Sequence, residues 1–189
     1  MVALWGAKAP SLRHKWLHLL VLLAVLLAFG VSFVLLQRVI GITSPWLALL
    51  LMFYFLALAK VAEPLFVLRM PSALRRLRPW EGGLYRRLAV RAFGKLLRRT
   101  PLRFFNTDVY LKQSRGDLQK VCLRVESGEA SHFWAAVLLM PYIAYAGFNG
   151  EWSVVGWFLL AQVAVNLYPI LHLRLVRGRL ARFVLSPRP

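Results

Sequence analysis

The chain has 189 residues, 59% of them hydrophobic, and a formal net charge of +18. That apolar share excludes an ordinary soluble domain, whose surface needs more polar residues. The charge suits nucleic acid or an anionic membrane surface; the apolar runs favour the membrane, and without a binding motif nucleic acid is not an expected partner. A single cysteine, Cys122, excludes an internal disulfide and a multi-cysteine metal site, and the four scattered histidines make a His-rich metal site unexpected.

Met1 to Lys15 is short and basic, and Trp16 to Leu36 is almost wholly apolar. As a helix the apolar run spans about 31 Å at ~1.5 Å per residue, enough for a bilayer core. It is too long for a signal-peptide core and ends in no small-residue cleavage site, so it reads as a retained span. Gly41, Ser44 and Pro45 form a turn, and Trp46 is an interfacial aromatic. Residues 47–68 form a second span. Its end carries Lys60 and Glu63, three apart and adjacent on one helix face. Either the two groups pair within the span, or they lie near the interface and Lys60 snorkels.

Residues 69–132 form a basic platform, punctuated by Pro71, Pro79 and Gly82–Gly83. Residues 84–99 read as one amphipathic helix ended by Thr100–Pro101. Arg87, Arg91, Lys95, Arg98 and Arg99 share one arc; Tyr85, Ala89, Ala92, Phe93, Leu96 and Leu97 share the other. A helix of this kind suits a membrane surface. Arg86 breaks the pattern, and Leu84 and Leu88 fall on the basic side. A loop is expected around 104–108. From Asp117 a helical period resumes, with Leu118, Val121, Cys122 and Val125 on one stripe. The stripe continues through Glu129 and His132 to Ala136, Leu139 and Met140. Gly128 weakens that helix without ending it.

Residues 133–148 form a third span, the Asn149–Gly150 segment a turn followed by Trp152, and 153–173 a fourth span bearing Gln162 and Asn166. Of the 25 Lys and Arg residues, 15 lie in 69–132, 5 in 174–189 and none in the Asn149 turn. The positive-inside rule then puts the platform and both termini in the cytoplasm, with Ser44 and Gly150 on the far side. The expectation is an all-α integral membrane protein of the plasma membrane. Four transmembrane helices form two hairpins, within 1–68 and 133–173; they flank a cytoplasmic platform at 69–132 and end in a basic tail at 174–189.

Glu129 and His132 stand at i, i+3 on an otherwise apolar face, where a carboxylate orients an imidazole and favours its charged form. His132 then serves as a base toward a hydroxyl; the alternative is a structural polar pair at the interface. The basic residues are topology and headgroup signals first, and forks for phosphate second. Gln162 and Asn166 can also simply join helices. Cys122 packs on the stripe. No phosphate loop, nucleophile elbow or His-Glu-x-x-His motif occurs.

Three groups of residues carry a family resemblance: Trp80-Glu81-Gly82-Gly83-Leu84-Tyr85-Arg86-Arg87 followed by Lys95 and Pro101; Glu129-Ala130-Ser131-His132; and Asn166-Leu167 followed by Arg174, Arg177, Gly178, Arg179 and Leu180. Together they resemble the glycosyl-4,4'-diaponeurosporenoate acyltransferases, small membrane proteins of carotenoid biosynthesis. The chain departs from the family pattern in having Leu173, Leu175 and Val176 where Gln, Tyr and Asn are usual. The resemblance implies transfer of a fatty acyl group from a thioester donor, acyl-coenzyme A or an acyl carrier, to a sugar hydroxyl of a carotenoid glycoside, beside membrane lipid. On that reading His132 is the base, Glu129 orients it and Asn166 donates to the developing oxyanion. Arg174, Arg177 and Arg179, with Glu81 and Lys95, hold substrate. No cofactor and no metal is implied. The competing reading is a non-catalytic membrane subunit or assembly factor that docks a partner on the platform. A methyl-transferring membrane enzyme lacks a cofactor motif here.

Overall fold

The computed structural model describes residues 12–62, 69–78, 80–100 and 118–185, and every regular element among them is helical. The expected Lys60–Glu63 pairing and the loop at 104–108 lie outside the described residues.

Helix α1 (Leu12–Ile40) ends at Gly41, whose φ of 80° is the left-handed conformation that closes helices cheaply. Helix α2 (Pro45–Ala62) begins on a proline, whose missing N–H costs nothing in a first turn. The two helices pack together through Phe29 stacked on Tyr54, and the Tyr54 hydroxyl donates to the Val25 carbonyl. Along α1, large apolar side chains such as Leu20 and Leu27 stay exposed. A helix that is apolar all round needs lipid or protein about it.

Helices α3 (Ser72–Arg75), α4 (Glu81–Arg87) and α5 (Val90–Arg99) are short. The single helix expected over 84–99 is broken, because Ala89 takes φ 50°. The break turns α5 about its axis. Its buried face is Val90, Gly94 and Leu97, while Ala92 and Leu96 are exposed. Leu84 and Leu88, out of place in a continuous helix, mark where the register changes.

Helix α6 (Leu118–Phe148) runs unbroken through Gly128 and Pro141, so the expected platform–span boundary at 132/133 is not a break in the chain. Helix α7 (Trp152–Gln162) passes through one π turn (Val163–Leu167) into α8 (Tyr168–Leu185). The expected boundary at 173/174 likewise falls inside a helix. Proline at 169 supplies no N–H, and its ring crowds the carbonyl four residues back. The wider turn just before it, closed by Tyr168 N–H donating to the Val163 carbonyl, accommodates this.

Two helical stretches are long and apolar enough to cross a membrane, Trp16–Ile40 and Trp152–Arg182; Pro45–Ala59 is a shorter apolar helix. The four-span expectation therefore reduces, on length and composition, to two candidate spans. The core joins Ala48, Leu51 and Met52 of α2 to Leu139, Ile143 and Ala146 of α6 and to Val154 and Phe158 of α7. It gathers the Gly41 and Gly150 turns at one end. A second cluster, Val121 and Val125 against Leu173 and Leu180, holds α6 to α8 at the other end.

Helix α5 reaches α8 through Gly94, where an added Cβ would land on the His172 ring. Gly94→Ala is therefore expected to destabilise the fold by about 1–3 kcal/mol, the usual cost of overpacking. Adding His172→Ala should restore much of the loss. Thermal unfolding of the three variants in one detergent checks this; additive losses would refute the contact.

Candidate functional site

The face between α6 and α8 holds two polar systems. The deeper one is ionic. Glu129 is 1% exposed and Arg174 8% exposed. Arg174 Nη1 donates to Glu129 Oε1 at 2.9 Å and to the Leu74 carbonyl. Its Nη2 donates to Glu81 Oε1 at 2.7 Å and to the Arg76 carbonyl at 2.9 Å, and its Nε to Glu81 Oε2 at 3.4 Å. A guanidinium has five N–H donors, and all five are taken. Arg177 Nη2 donates to the Arg75 carbonyl at 2.7 Å and to Glu129 Oε1 at 3.3 Å, while its Nε sits 3.1 Å from Glu129 Oε2 as an ion pair.

Glu81 opens α4. Its carboxylate accepts the Tyr85 hydroxyl and the Arg78 backbone N–H. Burial would raise its pKa, but Arg174 and Tyr85 outweigh that and hold it below the ordinary carboxylate value. Burial and the neighbouring Glu81 push the Tyr85 phenol up to about 12, so it stays a neutral donor. Burial pushes Glu129 up, with Arg177 and Arg174 opposing.

The second system joins two side-chain amides to an imidazole. Gln162 Nε2 donates to the Ala136 carbonyl at 3.1 Å, and Asn166 Nδ2 donates to Gln162 Oε1. Asn166 Oδ1 lies 3.4 Å from His132 Nδ1. The backbone carbonyl fixes every step. It can only accept, so Gln162 must turn its nitrogen toward it and its oxygen toward Asn166. Asn166 then presents its oxygen to His132, and Nδ1 must carry the proton. In the neutral ring the lone pair is then on Nε2.

The structure thus separates the expected constellation. Glu129 is taken by two arginines from α8, not by the imidazole, because guanidinium forks fit a carboxylate better than an i, i+3 histidine does. His132 is instead joined to Asn166, which was expected to serve an oxyanion. Arg174 and Glu81, expected to hold substrate, are occupied with each other. Arg177 is largely occupied, and Arg179 and Lys95 are exposed on the surface. Tyr85 and Gln162 were not singled out for these roles. Gln162's place four residues before Asn166 was the available signal.

Glu81, Tyr85 and Arg174 of the ionic system line an open cleft of about 340 Å³ between the segment from Met70 to Tyr85 and the facing sides of α6 and α8. Phe133 and Leu167, which line it, directly follow His132 and Asn166 in the chain.

The family model of glycosyl-4,4'-diaponeurosporenoate acyltransferase matches residues 71–185, well over half of the chain. No curated protein and no solved structure matches.

Arg174→Ala would leave Glu81 buried without its cation and Glu129 with Arg177 alone. It should cost about 3–5 kcal/mol, the scale for breaking a buried pair, and lower the yield of folded protein. The pKa of Glu81 is depressed in the fold, so its contribution is present above the unfolded value of ~4.3 and is lost as pH falls through the folded value. Below about pH 4 the wild type should lose stability faster than Glu81→Gln. Unfolding midpoints across pH 3–7 would show parallel curves if Glu81 made no such contribution.

Proposed function

The chain belongs to the glycosyl-4,4'-diaponeurosporenoate acyltransferase family, and from that premise we propose that it is an integral-membrane O-acyltransferase with His132 as its general base. Its substrates on this reading are a thioester-activated fatty acid and a sugar hydroxyl of a carotenoid glycoside. Both partition into lipid, and a site on the α6–α8 face beside an apolar cleft meets both.

The observation that carries the reading is the amide relay to His132. A base toward a hydroxyl needs a neutral ring, and in that ring the chain from the Ala136 carbonyl through Gln162 and Asn166 favours the proton on Nδ1 and the lone pair on Nε2. Nε2 removes the proton as the sugar oxygen attacks the thioester carbonyl. The tetrahedral intermediate collapses with cleavage of the C–S bond, and the imidazolium returns the proton to the leaving thiolate. Atoms and charge balance without a metal or other cofactor. Asn166 is the positioning residue for this base. Glu129, with Arg174 and Glu81, holds α6, α8 and α4 in register.

For orientation we propose four spans in the plasma membrane with the basic end and both termini cytoplasmic, supported by the charge distribution and by the two turns lying at one end of the core. In a Cys122→Ser background, a cysteine at Ser44 should label from outside intact cells and one at Arg99 should not. The reverse pattern would overturn the orientation.

The catalytic test is turnover per folded molecule, with a glycosylated carotenoid and a labelled acyl thioester. His132→Ala should lose about 10²–10⁴-fold, the usual contribution of a general base. Asn166→Leu should lose less in kcat and change its pH profile, which a merely structural residue would not do. Near-normal turnover in well-folded His132→Ala would remove the histidine from the mechanism.

A further inference from the structure

The ion cluster consumes two of the three arginines that the sequence offered to an anionic donor, Arg174 and Arg177. All five donors of Arg174 are used, and Arg177 is turned onto Glu129 and the Arg75 carbonyl. The same bonds have a second effect. Three successive carbonyls, those of Leu74, Arg75 and Arg76, are drawn inward onto Arg174 and Arg177. This fixes the backbone beside the cleft. Arg76 and Arg78 are exposed and line the cleft mouth, and neither pairs with a carboxylate among the described residues. The Arg78 guanidinium lies 6.0 Å from the Trp80 ring. The walls are mostly apolar, with Leu74, Leu84, Phe133, Leu167 and Leu171 among them, and Glu81 and Arg174 of the ion cluster also line the cleft, already paired with each other.

A ligand complementary to this surface carries a fatty chain at one end and a phosphate at the other. We propose that Arg76 and Arg78 bind the phosphate of a phosphopantetheine-borne acyl thioester whose chain enters the cleft, while Arg174 and Arg177 position the loop that presents them. The assignment rests on the acyltransfer reading and names the donor side of that site. Guanidinium forks match phosphate oxygens in pairs. At about 340 Å³ the cleft is at the small end of the ~300–1,000 Å³ typical of ligand pockets. It encloses part of a long chain and leaves the remainder to lipid. Because Phe133 and Leu167 flank His132 and Asn166, a chain in the cleft brings its thioester beside the proposed base.

The test uses the full-length protein in phosphatidylcholine nanodiscs with palmitoyl-coenzyme A as probe. The double variant Arg76→Gln/Arg78→Gln should weaken binding by about ten- to hundredfold, the loss expected for charged hydrogen bonds. The donor KM should rise similarly, with kcat and the acceptor KM unchanged. Palmitoyl-pantetheine, which lacks the phosphate, should bind the wild type as weakly as palmitoyl-coenzyme A binds the variant. The same loss seen with palmitoyl-acyl carrier protein alone would support the assignment and identify the carrier protein as donor. Equal binding of both thioesters by wild type and variant would overturn it. So would displacement of palmitoyl-coenzyme A from the wild type by phosphatidylglycerol, which would make the arginines a headgroup site. Intact, arginine-dependent binding with no ester product would leave the docking assignment standing and refute the transfer reading.

Discussion

The arrangement depends on one guanidinium. Arg174 is donated by α8, yet its acceptors belong to α6, to α4, to α3 and to the segment that follows α3. Those pieces share little apolar surface with one another. The described polar contacts between the segment at 69–78 and the helical bundle run through Arg174 and Arg177, an Arg75–Glu126 pair at 3.5 Å, and Trp134 Nε1 donating to the Arg69 carbonyl. A buried ion cluster gives little net stability, because desolvation offsets most of the Coulomb gain. It gives direction instead. Two carboxylates and two carbonyls converge on one planar donor set, and an apolar side chain in its place would leave the loop's carbonyls unpaired.

Periodicity made part of this legible. The 3.6-residue stripe through Val121 and Val125 reaches Glu129, and all three are buried. The partner of Glu129 was not legible in the same way. Local spacing offers His132, three residues on; the residues that take the carboxylate lie 45 and 48 positions away in the chain. Arg174 and Arg177 look like tail charges only if the helix stops before them. Carried past Leu173, the period places Arg177 with Asn166, Leu173 and Leu180, and Arg174 beside them. Asn166, Leu173, Arg174 and Leu180 are buried. The break at Ala89 had no glycine or asparagine to announce it. Its trace was a pattern that did not close, with Arg86, Leu84 and Leu88 on the wrong arcs of a continuous helix.

The segregation of the two polar systems has a chemical consequence. A carboxylate against an imidazole favours the imidazolium, which cannot accept a proton. An amide oxygen fixes the tautomer without supplying that charge. Glu129 is drawn onto Arg174 and Arg177, while His132 Nδ1 meets the Asn166 amide on the neighbouring helix. The ion cluster itself combines two guanidinium and two carboxylate groups, so its charges offset one another at the distance of the relay. The π turn belongs to the same design: it spans Asn166 and the start of the relay's approach to α6. A turn of this type re-aims the side chains on it relative to a regular helix, which is how a span dominated by packing residues can still present one amide to a histidine on its neighbour.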